Sequence, residues 1–188
     1  MSLYTKKGDG GKTSILRKNR GKSIRLSKAS PLIDAIGTID EANSYLGVVA
    51  SNFKLKYLKR GLKDAIIKIE EIQKSLFTVG SIIAGSEIPT NNLDVIKLEE
   101  EIDKIENALP KLEKFILPGG NLISAQLMFA RTLIRRAERK IVFLNNRSKI
   151  KSYRIIFMYI NRLSDYLFVL ARWVNFKAGV KEINWKSR

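Results

Sequence analysis

Apolar side chains recur at alternating steps of four and three residues along most of this chain, and that spacing restricts the fold to packed helices. A helix of 3.6 residues per turn places such positions on one face, whereas a strand needs alternation at every second residue. The recurrence covers residues 58–83, 95–112, 123–144 and 156–174. A shorter amphipathic helix fits residues 31–52, because Ser30 is a suitable N-cap and Pro31 an acceptable early helical residue. The sequence therefore predicts five helices.

Turn-forming residues separate the predicted helices at 85–92, at 117–121 and near Asn145-Asn146. Because long helices joined by short connections usually lie antiparallel, we predict an all-α, up-and-down five-helix bundle over residues 31–180. Residues 1–30 precede it as an irregular N-terminal arm, without a strand pattern strong enough to define a sheet. We expect the 188 residues to form a single domain, 1–188.

The amino-acid composition excludes several kinds of catalytic site. The chain has no cysteine and no histidine, which rules out Ser-His-Asp and Cys-His nucleophile systems, zinc hydrolases and histidine-containing di-iron bundles. Thirty-five basic residues against 18 acidic ones give a formal net charge of +17, which favours an anionic partner. No apolar run approaches the ~20 residues of a membrane span, and the basic N-terminus lacks the apolar segment of a signal peptide, so we expect a cytoplasmic protein.

Glycines, lysines and hydroxyl groups are concentrated near the N-terminus, in residues 6–14. Glycine lets backbone N–H groups face an anion, lysine neutralises it, and Thr or Ser can donate to phosphate oxygens or lie beside magnesium. The segment is not a Walker A loop, because Lys6 stands where that motif needs a glycine and no strand precedes it. Two interpretations follow, a polyphosphate site of another architecture and a flexible basic tail.

Polar residues form strips beside the apolar stripes of the last two helices. Arg131, Arg135 and Glu138 share one strip, and Arg136 points away from it. Guanidinium groups there suit a triphosphate or a fixed carboxylate, although such arginines can also follow the core boundary and pair with acidic neighbours. A second strip consists of Asn161, Asp165, Phe168 and Arg172. An interhelical hydrogen-bond network is the alternative explanation for this second strip.

The first predicted helix carries an acidic residue on a face that contains glycine. Asp40 shares this face with Gly37 and Gly47, and each glycine weakens a helix by up to ~1 kcal/mol relative to alanine. Their presence suggests the close approach of another helix or a ligand. A buried Asp40 would need a partner, since breaking a buried ion pair costs ~3–5 kcal/mol. Arg131 or Arg135 is the expected partner.

Five segments of the chain, taken in order, resemble the PduO-type ATP:cob(I)alamin adenosyltransferases. They are Tyr4–Ser14, Gly37–Ser44, Phe115–Gly120, Arg131–Arg139 and Asn161–Phe168, and together they span nearly the whole sequence. The resemblance implies a five-helix bundle that assembles as a homotrimer with active sites between subunits. It also implies an enzyme that transfers the 5′-deoxyadenosyl group of ATP to the cobalt of cob(I)alamin and releases triphosphate.

The same resemblance implies roles for individual residues. An arm that wraps Mg-ATP would comprise Thr5, Lys6, Gly8, Asp9, Gly11, Lys12, Thr13, Ser14 and Lys28. The nucleotide site would be completed by Arg135, Glu138, Arg139 and Asn161. Asp40 and Arg131 would form a catalytic ion pair at the cobalamin face. Phe115 would displace the lower axial ligand, which leaves a four-coordinate cobalt that is easier to reduce.

Three positions depart from the pattern of that family. Lys7 and Lys12 stand where threonine is common, and Met128 stands where histidine is frequent. The expected cofactor is Mg²⁺ carried with ATP, and no metal site of the protein is assigned. The expected partners are ATP, cob(II)alamin or cob(I)alamin, further copies of the chain in a homotrimer, a reductase and a cobalamin-dependent mutase. Neither a membrane nor nucleic acid is expected.

The chemistry implied by the resemblance suits a chain without histidine. The nucleophile belongs to cobalamin and the leaving group is an anion, so the protein need supply only orientation, charge neutralisation and a dry pocket. Two other functions stay open, a basic helical module that binds nucleic acid or polyphosphate and a bundle that carries cobalamin without consuming ATP. The arginines cluster with acidic residues on core-facing edges, which counts against the nucleic-acid module.

Overall fold

The computed structural model of the protein describes residues 4, 6–16, 23–57, 63–148 and 153–185. Its elements are β1 Lys12–Leu16, β2 Ser23–Ser27, α1 Pro31–Tyr57, α2 Lys63–Ile83, α3 Val95–Glu106, α4 Leu122–Ser148 and α5 Tyr153–Lys177. The prediction of a five-helix bundle is confirmed. None of the helices within the described ranges combines the length and apolar character that crossing a membrane requires.

The helices are arranged in the order α2, α1, α4, α5 and α3 around one apolar core. The ring closes where α3 returns to α2, and there Lys97 forms an ion pair of 3.4 Å with Glu71. The predicted apolar stripes face inward, and Ile69, Ile134 and Leu163 are fully buried. Because each fully buried side chain of this size contributes about 1.5–3 kcal/mol, the stripes account for the bundle.

Helix α3 is shorter than the apolar spacing predicts. The spacing continues to Leu112, but the helix ends at Glu106, and the backbone N–H of Asn107 donates to Asp103 over 2.9 Å. Pro110 then follows, and proline cannot continue a helix because it lacks the N–H group. The prediction of a helix over 95–112 is therefore wrong at its C-terminal end. Residues 107–112 instead belong to the long connection between α3 and α4.

Two other helix boundaries differ from the prediction. The expected break near Asn145-Asn146 lies a few residues later, because α4 continues to Ser148 and α5 begins at Tyr153. Asparagine inside a helix costs only about 0.5 kcal/mol, and the buried Ile141 lies in the same turn of the helix. Helix α1 extends past residue 52 to Tyr57, so it is as long as α4. The described part of the second helix begins at Lys63, and residues 58–62 lie outside the described ranges.

The arm contains a β-hairpin, which the sequence did not predict. Strands β1 and β2 pair antiparallel, with Lys12 opposite Ser27 and Ile15 opposite Ile24. The side chains of Ile15 and Ile24 line an apolar groove with Leu144 of α4. The hairpin therefore lies against the end of the bundle where α4 finishes and α1 begins, and this fixes the position of the preceding loop.

Candidate functional site

The glycine-rich segment forms a closed turn, here called the arm loop and defined as residues 6–11. Gly11 has a φ of 72° and donates from its backbone N–H to the Gly8 carbonyl over 3.2 Å. The guanidinium of Arg25 donates to the Lys7 carbonyl over 2.8 Å, and the N–H of Lys28 donates to the Gly11 carbonyl over 2.9 Å. The hairpin therefore fixes the loop from its C-terminal side. As a result, the positively charged residues Arg25 and Lys28 lie beside this small turn.

Lys28 connects the arm loop to helix α4. Its Nζ lies 3.3 Å from the position that a Cβ on Gly8 would occupy. The same side chain lines a cleft of about 660 Å³ with Arg139 and Lys140 of α4 and with Asp34 of α1. Lys140 forms an ion pair with Asp34. Two predicted nucleotide-binding residues that are far apart in the sequence, Lys28 and Arg139, therefore line one basic cleft.

A second opening, here called the Asp40 groove, lies between α1, α2 and the arm. It has a volume of about 630 Å³, and its walls include Thr13 and Ser14 of β1, Gly37 and Asp40 of α1, and Phe77 of α2. The Phe77 side chain is 67% exposed, although its size and apolar character would favour burial. The groove thus combines hydroxyl groups, a carboxylate and an exposed aromatic ring.

Asp40 does not form the ion pair that the sequence led us to expect. Within the part of the chain that the structure describes, no lysine or arginine nitrogen lies within 4.0 Å of its carboxylate. Its neighbour Glu41 instead pairs with Arg136 of α4, the arginine that points away from the Arg131 strip. The prediction that Arg131 or Arg135 pairs with a buried Asp40 is wrong for a single chain, because Asp40 is exposed and faces α2.

Arg131 is half-buried between α4 and α5 and has an unsatisfied donor. Its guanidinium carbon lies 5.5 Å from the centre of the Phe168 ring. Its Nε is buried and has no hydrogen-bond partner in the described structure. Burial lowers the pKa of Arg131, the repulsion of Arg135 lowers it further, and Asp165 partly opposes both effects. An anionic group placed here would satisfy the donor and stabilise the charge.

The remaining residues of the strip face solvent on α4 and α5. Asn161 donates from Nδ2 to the Glu138 carboxylate over 3.1 Å, so two predicted nucleotide-binding residues are brought together. Arg139 donates to the Arg135 backbone carbonyl over 3.0 Å. This surface offers amide, carboxylate and guanidinium groups side by side, which suits a ligand with both phosphate and polar ring atoms.

Phe115 lies on the long connection between α3 and α4 and is 81% exposed. Its carbonyl accepts from the Trp185 N–H over 2.7 Å, and the Leu117 N–H donates to the Ile183 carbonyl over 2.8 Å. Residues 182–185 show no strand pattern, so this C-terminal strap was not predicted. Its short bridge to the connection holds the backbone of Phe115 at the opposite end of the bundle from the arm.

Known proteins resemble this chain over nearly its whole length. The family model described as cobalamin adenosyltransferase matches residues 3–174. The corrinoid adenosyltransferase of Bacillus subtilis (strain 168) is 35% identical over 99% of this chain and 93% of its own length. A PduO-type ATP:corrinoid adenosyltransferase variant from Lactobacillus reuteri, solved with cobalamin and ATP, superposes with a TM-score of 0.86 at 33% identity, covering 99% of this chain and 97% of that chain.

This chain belongs to the cobalamin adenosyltransferase family. The human corrinoid adenosyltransferase MMAB is also similar, at 35% identity over 96% of this chain and 71% of the human protein. The chain is accordingly an adenosyltransferase enzyme, and its activity is ATP-dependent adenosyl transfer to cobalamin.

The geometry groups the predicted site residues of this adenosyltransferase in three places. The first is the arm with the Asp40 groove. The second is the Arg131 strip of α4 together with Asn161 of α5, and the third is the Phe115 connection. Arg139 joins the first two through its cleft with Lys28. Thr5 lies outside the described residues. Met128, at the position where the resembling family frequently has histidine, is buried in the core.

Proposed function

We propose that the active site of this adenosyltransferase forms between two copies of the chain. One copy supplies the arm and the Asp40 groove, and the other supplies the Arg131 strip. The observation that carries the proposal is a pair of complementary groups among the described residues. There, the Asp40 carboxylate has no lysine or arginine nitrogen within 4.0 Å, and the buried Nε of Arg131 has no hydrogen-bond acceptor.

The two groups lie on different sides of one bundle. Asp40 faces the groove between α1 and α2, whereas Arg131 lies between α4 and α5. A head-to-tail interface joins such unlike surfaces and closes into a ring, and a homotrimer is the ring that the family resemblance implies. In that ring each Asp40 meets the Arg131 of the neighbouring copy, and three equivalent sites result.

The position of Phe115 supports the same arrangement. Asn121 lies at the turn beside the Phe115 connection, and Arg139 lies at the Lys28 cleft. At a rise of 1.5 Å per residue, these two residues are about 27 Å apart along the direction of α4. Phe115 and the arm of one chain therefore lie at opposite ends of the bundle. We propose that Phe115 approaches the lower face of a corrinoid and leaves the cobalt four-coordinate.

The chemistry of the site is nucleophilic substitution at carbon. The cobalt of cob(I)alamin attacks the ribose 5′ carbon of ATP, a cobalt–carbon bond forms, and the carbon–oxygen bond breaks with its electrons leaving on triphosphate. No protein base is needed. We propose that Lys6, Lys12 and Lys28 neutralise the leaving triphosphate, since ionised hydrogen-bond donors are roughly twice as effective as neutral ones. Glu138 and Asn161 would orient the nucleoside.

We propose that Mg²⁺ arrives on the triphosphate. The described residues contain no cluster of three or more acidic, cysteine or histidine side chains that could hold a metal ion. Magnesium commonly keeps phosphate and water ligands and takes few from protein. Asp9 and the hydroxyls of Thr13 and Ser14 supply suitable oxygen atoms near the arm loop.

The wider setting follows from the reaction. Cob(II)alamin needs one electron before it can act as a nucleophile, so we propose a reductase as a donor and a cobalamin-dependent mutase as an acceptor of the product. We propose that the enzyme works in the cytoplasm, where ATP and Mg²⁺ are available. The proposed function therefore includes these two partners, the homotrimer and the bound Mg²⁺.

Product analysis tests the chemical part of the proposal. Incubation of the protein with Mg-ATP and chemically reduced cobalamin should give adenosylcobalamin and triphosphate in equal amounts, followed by absorbance and by phosphate chromatography. Arg131→Lys and Asp40→Asn should slow the transfer without unfolding the protein, because each keeps the size of the side chain but disrupts the pair. Wild-type turnover in both variants, or release of ADP, would contradict the proposal.

A further inference from the structure

The connection that carries Phe115 is held at both ends by the last two turns of α5. Near its start, Arg172 donates from Nη2 to the Pro110 carbonyl over 3.0 Å. Near its end, Asn175 donates to the Gly119 carbonyl over 3.1 Å and accepts from the Asn121 N–H over 2.9 Å. Both α5 side chains are buried, so these contacts are protected from water.

Arg172 also holds the root of the C-terminal strap. Its Nε donates to Oε1 of Glu182 over 2.9 Å and its Nη2 to Oε2 over 3.2 Å, which makes the pair bidentate. The Arg172 side chain is only 4% exposed. One guanidinium therefore ties the strap and the Phe115 connection to the same point of α5. Bidentate pairs of this kind fix orientation as well as position.

The strap then reaches the middle of the connection. From Glu182 it runs to the backbone hydrogen bonds that join Ile183 to Leu117 and Trp185 to Phe115. Phe115 is thus reached by two paths from Arg172, one through Pro110 and one through Glu182. The exposed ring itself makes no contribution to the core, so the packing of the bundle alone does not define its position.

We infer that Arg172 and Glu182 are positioning residues for the adenosyl transfer, acting through Phe115. This inference rests on the proposed role of Phe115 at the lower face of the corrinoid. The buried pair sets the backbone of residues 115–117, and that backbone sets the depth to which the ring enters the corrinoid site. Arg172 and Glu182 lie at the end of the bundle away from the arm, and we assign them no contact with the reacting atoms.

Glu182→Gln tests this inference with a nearly isosteric change. The amide keeps one acceptor for Arg172 but removes the charge and the bidentate geometry. We expect kcat to fall between about tenfold and a hundredfold, because a displacement of ~1 Å at a reacting group has effects of this size. The KM for ATP should stay within about twofold, since the arm is unchanged. The spectrum of cob(II)alamin bound with Mg-ATP should show less four-coordinate cobalt.

A double-variant cycle separates positioning from a general loss of structure. Adding Glu182→Gln to Phe115→Ala should cause little further loss of kcat, because the ring that the pair positions is already absent. If the losses of kcat in the two single variants multiply in the double variant, the pair acts elsewhere and the inference is overturned. The control is Glu99→Gln, which weakens the half-exposed pair between Glu99 on α3 and Arg162 on α5 and should leave kcat and the cobalt spectrum unchanged.

The outcomes also distinguish this inference from the role of Phe115 itself. If Phe115→Ala leaves the cobalt spectrum unchanged, the proposed role of Phe115 fails and the inference fails with it. If Phe115→Ala removes the four-coordinate signal while Glu182→Gln retains wild-type signal and turnover, the role of Phe115 stands and the positioning role of the Arg172–Glu182 pair is contradicted.

Discussion

At the scale of single residues, Gly120 shows how closely the turn before α4 is packed. Its backbone has a φ of 94°, and a Cβ at this position would lie 2.6 Å from both Nδ2 and Oδ1 of Asn175. Asn175 cannot withdraw without losing its bonds to Gly119 and Asn121. Both the backbone conformation and the space therefore require glycine.

We expect Gly120→Ala to lower the free energy of unfolding by about 2 kcal/mol or more, because backbone strain and a steric clash add. Chemical denaturation measures this change. Gly10→Ala is the matched control, since a Cβ there meets no atom within 4 Å, and its effect should stay within about 0.5 kcal/mol. Equal effects of the two substitutions would contradict the packing argument for Gly120.

Tyr159 gives the fold a dependence on alkaline pH. Burial raises the pKa of Tyr159 to about 12, while a hydrogen bond with Ser75 acts in the opposite direction. The folded protein therefore keeps the phenol proton at a pH where the unfolded chain, with a pKa near ~10, has lost it. This contribution to stability is complete below pH ~10 and is lost as the pH rises toward 12.

We expect the free energy of unfolding to fall more steeply between pH ~10 and ~12 in the wild type than in Tyr159→Phe, by on the order of 1–3 kcal/mol. Urea denaturation at several pH values measures both curves. The comparison cancels the lysines, which titrate in both proteins. Parallel curves would show that Tyr159 does not titrate as its burial predicts.

At the scale of elements, the helices were predictable from the sequence because their apolar spacing is long and regular. Their ends were less predictable, since the spacing to Leu112 outlasts α3 and the apolar residues around Asn145 outweigh its weak helix propensity. The β-hairpin was missed because each strand has only five residues, although Ile24 and Leu26 alternate with polar residues in β2.

The site could be predicted where its residues are close in sequence. It could not be predicted where contacts between distant residues determine which groups are neighbours. Spacing on α4 correctly put Arg131, Arg135 and Glu138 on one strip, and the structure adds Asn161 to it through Glu138. The absence of an Asp40–Arg131 pair in one chain, and the strap at Glu182, depend on which helices are neighbours. Sequence periodicity does not contain that information.

The arm is the element whose function is most directly testable. Lys28 lies beside Gly8 and lines the cleft with Arg139, so we expect Lys28→Ala to raise the KM for ATP about tenfold, the loss expected for one charge-assisted contact. The control is Lys54→Ala, which removes an exposed lysine paired with Glu70 and should leave the KM unchanged. Steady-state kinetics would contradict this account if the two variants behaved alike.

At the scale of the whole molecule, the Asp40 groove and the Arg131 strip are the two surfaces that matter most. In the described part of the chain, the Asp40 groove presents a carboxylate without a cation within 4.0 Å, and the Arg131 strip presents an arginine whose buried Nε has no hydrogen-bond partner. A bundle of this kind is stable by its own core. We propose that its catalytic groups are complete only where two copies meet, which would allow residues at opposite ends of one chain to belong to one site.

Complementation between inactive variants tests this central claim most directly. If the chain forms the proposed homotrimer, co-expression of Asp40→Asn chains with Arg131→Gln chains gives mixed rings, and each mixed ring contains one interface where an intact Asp40 meets an intact Arg131. With random assembly, about one quarter of wild-type turnover should return, although each variant alone is nearly inactive. Turnover that stays at the level of the separate variants would contradict a site shared between subunits.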